Sequence, residues 1–181
     1  MYSAIRCRPT TTALLFATLL LVPVRGVVGQ ADPCVIDDPD PGVGGRSEIV
    51  VSGAIPEALQ LSGFATASGA AGQGWSVHLF TPGGANSVLL FWLGNGRPSL
   101  GTYKIVDYVG TDAKPAVGQF AGTSAFEEQI LAATGFASVT GELTIVESTP
   151  TAVAGCYEFT GRSQSGSGSV SLAGTFAAKN Q

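Results

Sequence analysis

The stretch TAVAGCYEFTG, residues 151–161, changes character at every second position. In an extended chain Val153, Gly155, Tyr157 and Phe159 fall on one side and Ala154, Cys156, Glu158 and Thr160 on the other, because successive side chains of a strand point to opposite faces. The stretch therefore reads as a strand with one buried face, and an isolated hairpin cannot bury a face. The rest of the chain has to supply a sheet. Cys156, on the outward side, needs a partner from outside that sheet.

Eight further stretches read the same way. They are EIVVSG from Glu48, LQLSGFATA from Leu59, GWSVHLF from Gly74, NSVLLFWLG from Asn86, GTYKIVDY from Gly101, VGQFAG from Val117, ASVTGELTIVE from Ala137 and GSVSLAGTFAA from Gly168. Val, Ile, Thr and aromatic residues fill them, and Pro, Gly, Asn and Ser separate them, as in TPGG at Thr81 and GNG at Gly94. The pattern predicts an all-β fold, an antiparallel β-sandwich or flattened barrel of about nine strands. One segment departs from it. SAFEEQILAATG places Glu127 three residues after Ser124, spaces Phe126 and Ile130 by four and ends on Gly135, which predicts a short helix over 124–134. The alternative for these letters is a strand interrupted by bulges. GRSQSGSGS, from Gly161, reads as a hairpin loop.

The first thirty-one residues carry an export pattern: Arg6 and Arg8, then the apolar ALLFATLLLVPV from Ala13, then small residues up to Ala31. The expected layout is a signal peptide over 1–31, an acidic N-terminal segment over 32–46 and a single β-sandwich domain over 47–181. The apolar run is short for a membrane span, and no later stretch is longer. Cleavage removes Arg6, Arg8 and Arg25, so the net charge of −4 becomes −7. A chain this acidic repels phosphate backbones and anionic membrane surfaces. Cys7 leaves with the peptide, and Cys34 and Cys156 remain as a pair in an oxidising compartment, where a disulfide is the expected state. That bond would pin DPCVIDDPDPGVGG, from Asp32, to the outer face of the sheet. The rival role for Cys34, a lipid anchor, fits poorly because Pro33 precedes it where a lipobox has a small residue.

The C-terminal stretches share a pattern: Gly141 with Leu143 and Ile145, then Val153, Gly155, Tyr157 and Phe159, then Val170, Leu172, Gly174, Thr175 and Phe176. This succession, with LGTYKI at Leu100, resembles a group of small exported bacterial β-sandwich proteins of unknown function. The resemblance covers about the last third of the chain. It implies the fold and the compartment and carries no activity. Core contact alone also accounts for these residues, and Gly174 in an inward row predicts a bulge or a large neighbour over it.

Catalytic chemistry is thin. His78 is the only histidine and shares a face with Ser76, and Asp107 or Asp112 would be the third member of a triad. Side chains two apart on one strand stand about 6 to 7 Å apart, too far for a direct hydrogen bond. One histidine and a disulfide leave no zinc set. Asp37, Asp38 and Asp40 form a calcium candidate that lacks the EF-hand order, and a solvated acidic tether is the plainer reading. Glu127, Glu128, Glu142, Glu147 and Glu158 would supply a carboxylate pair for glycoside hydrolysis, Glu142 and Glu158 on neighbouring strands first among them. GVGG and GNG lack the Lys-Ser or Lys-Thr of a phosphate loop. No cofactor is expected.

SVLLFWL, Ser87 to Leu93, is the most informative stretch, because Val88, Leu90 and Trp92 take one face while Leu89, Phe91 and Leu93 take the other. Both sides are apolar where one should meet water. The cover is either internal, from Val35 and Ile36 or from the segment at Phe126, or external: a protein, an apolar ligand, or a glycan stacked on Trp75 or Trp92. The expected binding or packing surface is thus Trp75, Leu89, Phe91, Trp92 and Leu93. The reading of the whole is an exported, non-catalytic binding or structural module, periplasmic or extracellular, at a bacterial envelope. The alternatives are a secreted hydrolase with a carboxylate pair and a self-associating surface component.

Overall fold

The computed structural model describes residues 34, 36, 40–53, 58–69, 74–94, 96–108, 118–126, 135–165 and 168–181. Nine strands run through them: β1 (Arg46–Gly53), β2 (Leu59–Gly69), β3 (Trp75–Phe80), β4 (Ser87–Leu93), β5 (Gly101–Ile105), β6 (Gln119–Ala125), β7 (Gly135–Ser148), β8 (Ala152–Ser163) and β9 (Ser169–Asn180). Every stretch expected to be a strand is one. All nine belong to one sheet whose neighbours run β1, β2, β3, β4, β6, β5, β7, β8, β9, and β9 pairs back onto β1 to close the ring. The fold is all-β, with no helix among the described residues. The helix expected over 124–134 does not begin at Ser124, because Ser124 and Ala125 continue β6 and are paired on both sides, Ser124 with Val88 and Phe136. Two ladders outweigh a local capping pattern there. Residues 127–134 and the expected signal peptide, 1–31, lie outside the described residues.

The inward rows of the strands make one core. Ile49 and Val51, Ala65 and Ala67, Val77 and Leu79, Val88 and Leu90, Leu143 and Ile145, Val153, Phe159, Leu172 and Phe176 are all buried. Strand alternation explains the pattern, and burial of this apolar surface is the main term holding the ring together. At the end where β3 begins and β4 ends, Trp75, Trp92, Tyr103 and Phe120 pack ring to ring, with Trp92 4.9 Å from Phe120 and 5.0 Å from Tyr103.

The glycines of the C-terminal pattern have a packing reason. Gly141, Gly155 and Gly174 stand directly across from Phe159, Phe176 and Tyr157. A side chain at Gly155 would run into the Phe176 ring, one at Gly174 into the Tyr157 hydroxyl and one at Gly141 into the Phe159 Cβ, so each aromatic residue needs the bare backbone opposite it. The large neighbour expected over Gly174 is Tyr157, whose hydroxyl donates to the Glu48 carbonyl at 3.5 Å.

Short β5 wedges between β6 and β7, touching β6 only at Ile105 with Phe120. Beyond it the chain is fastened by buried Ser138, whose hydroxyl donates to the Val106 carbonyl at 2.6 Å and accepts from the Gly122 N–H at 3.0 Å. Tyr108 N–H then donates to the Ser138 carbonyl at 2.9 Å. This anchor adjoins an irregularity in β7 between Ser138 and Thr140, where a bulge leaves one residue out of the ladder and bends the strand.

Candidate functional site

The two-sided apolar strand is β4, and the ring assigns its two faces different tasks. Val88 and Leu90 are fully buried inside, while Leu89, Phe91 and Leu93 stand half-buried on the outside. Register carries the outer face across five strands. His78 of β3 pairs with Leu89, Leu89 with Thr123 of β6, Thr123 with Ala137 of β7, and Ala137 with Arg162 of β8. At the spacing of neighbouring strands this row runs about 19 Å along the sheet.

The row floors a trough of about 810 Å³. Tyr108 forms one wall, placed there by the Ser138 anchor just described. Its ring stacks on Phe91 at 5.6 Å with 22° between planes. His78, exposed, lies 5.2 Å from the Phe80 ring, which in turn lies 5.8 Å from Phe64. Arg162 reaches Asp107 at 3.1 Å, tying the chain beyond β5 to β8. Both partners are about half exposed, so this ion pair orients more than it stabilises. Among the described residues no acidic side chain lines the trough.

Trp75 and Trp92 stand apart from this face. Trp75 is 6% exposed and belongs to the core, and Trp92 packs against that core from the inside. Trp75 also borders a small recess of about 180 Å³ at the end of the ring, with Arg97 and Asn180. Leu89, Phe91 and Leu93 are the members of the expected surface that face outward.

Cys34 and Cys156 form a disulfide across 122 residues, with their Cα atoms 5.3 Å apart. The outward cysteine of β8 thus meets a partner that precedes the first strand. Cys34 Sγ sits 3.8 Å from the Thr144 carbonyl oxygen of β7, so the clasp lies over the outer face where β7 and β8 pair. That is a different part of the ring from the trough.

The imagined triad is not assembled. The Ser76 hydroxyl faces Ser68 at 3.5 Å, Asp107 is bound to Arg162, and Asp112 lies outside the described residues. Glu142 and Glu158 do stand directly opposite in register, with Lys104 opposite Glu142 on the other side. Both carboxylates are exposed. Glu142 borders a second recess of about 450 Å³, which Glu158 does not line. Of the calcium candidates, Asp37 and Asp38 lie outside the described residues, and Asp40 accepts the Gly42 N–H at 2.9 Å in a turn. Among the described residues no three of His, Cys, Asp and Glu gather as a metal site.

Thr123, Ala137, Arg162 and Tyr108 escape a reading of the sequence as site residues. They come from three strands and a connection, and only the register between strands distant in sequence brings them together. No family model, curated protein or solved structure matches the chain.

Proposed function

We propose that the chain is an exported, non-catalytic binding module of a bacterial envelope or its surroundings, built as a flattened barrel with its ligand site on the outer face. The observation that carries this reading is the trough: a concave, mixed apolar and polar surface that crosses five strands of a rigid scaffold. Clefts of this size that combine a few polar groups with apolar walls are what ligand sites look like. The disulfide supports export, since such bonds persist in oxidising compartments. No helix among the described residues is long and apolar enough to cross a membrane. The flattened barrel, rather than two separate sheets, is favoured by the hydrogen-bonded return of β9 onto β1.

A thermal-shift screen against glycans, lipids and peptides tests the reading, because a ligand that binds only the folded state raises the melting temperature. A stabilising ligand whose effect disappears in Thr123→Arg, which fills the trough floor, is the expected result. The in-register pair of Glu142 and Glu158 gives the hydrolase reading its one foothold. Hydrolytic turnover that vanishes in Glu142→Gln, with no ligand found for the trough, would put that reading in place of ours.

A further inference from the structure

We infer that the trough takes a linear oligosaccharide, an inference that rests on the binding-module reading above. Two rings line the trough, each packed against a neighbouring ring, Tyr108 of the wall on Phe91 at 5.6 Å and His78 of the floor beside Phe80 at 5.2 Å. A braced ring offers a fixed apolar face and loses little freedom when a ligand stacks on it. The C–H face of a pyranose is such a ligand surface. Along the floor apolar and polar side chains alternate, Leu89 and Ala137 with Thr123 between them, and Ser87, Ser163 and Gln164 also line the trough.

A sugar alternates in the same way, and its hydroxyls both donate and accept. A fatty acyl chain would cover the Thr123 and Ser87 hydroxyls and the Gln164 amide while offering them no hydrogen bond, which costs free energy for each group left unpaired. Arg162, oriented by Asp107, keeps further N–H donors for ligand hydroxyls or for a uronic carboxylate. The floor is a row about 19 Å long across neighbouring strands, which suits an extended chain of rings better than one compact molecule.

The test is NMR of the folded, disulfide-bonded chain, titrated separately with cellotetraose, chitotetraose, maltotetraose, tetragalacturonate and decanoate. At least one oligosaccharide should move the amide signals of Leu89, Thr123 and Ala137. Tyr108→Ala should weaken that binding tenfold or more, and Leu100→Ala, at an exposed side chain outside the trough, should leave it unchanged. Should Tyr108→Ala fold poorly, His78→Ala serves as the second variant, with the same loss expected. If decanoate alone moves the trough signals, the oligosaccharide inference fails and the binding-module reading stands. If no probe moves them, or sugars move only signals elsewhere, both fail.

Discussion

At Gly174 a methyl group would overlap the Glu48 carbonyl oxygen and stand 2.8 Å from the Tyr157 hydroxyl. Since β9 is paired with β1 on one side and β8 on the other, no free direction is left in which to relieve the overlap. Gly174→Ala should therefore cost about 1–3 kcal/mol, the usual range for overpacking a filled core, read as a fall in the denaturation midpoint. An unchanged midpoint would mean that the strands part at this point without penalty. Tyr157 itself yields a pH prediction. It is 3% exposed, and desolvation by burial holds its phenol protonated well above the ordinary tyrosine range. At neutral pH both folded and unfolded chains keep that proton. Above about pH 10 the unfolded chain releases it while the folded chain does not, so stability falls as pH rises. Urea midpoints at pH 8 and pH 11 should differ more in the natural protein than in Tyr157→Phe. At pH 8 the substitution should cost less than about 1 kcal/mol, since the hydrogen bond it removes is long.

Among the elements, the disulfide is the addition that makes a strand ring into a clasped one. In the chain-entropy description, a loop of 122 residues closed in the unfolded state stabilises the fold by about 4–5 kcal/mol, an upper figure because native strain and residual structure reduce it. Cys156→Ser, or reduction of the natural protein, should lower the melting temperature by the same amount, and a reductant should have no further effect on the variant. This bond was legible from cysteine arithmetic alone, as the strands were from their period-two alternation. Ser124 and Ala125 continue a strand rather than start the expected helix for a definite reason: a capping pattern is local, and it cannot register that β4 and β7 pair with β6 from both sides there. The trough was illegible for the same kind of reason. Leu89 and Phe91 could be marked as outward and apolar, but their neighbours Thr123, Ala137 and Arg162 are ordinary surface letters until the ladder aligns them.

On the scale of the whole molecule, the ring leaves few open backbone groups along the described strands, since each is paired on two sides, β5 with β6 at Ile105 alone. Unpaired strand edges are the usual route by which sheets join one another. Sedimentation at high concentration should therefore give a single species of monomer mass, and a dimer or larger assembly would favour the self-associating reading instead. The position of the disulfide has a mechanical consequence as well. A pull applied to the chain upstream of Cys34 does not reach β1 first, because the covalent bond carries the load directly into β8, a strand flanked along its length by β7 and β9. To extend the molecule from that side, the force has to shear two long ladders at once rather than unzip β1 one residue at a time. Used as a tether point, the N-terminal segment would hold under tension for as long as the bond stays oxidised.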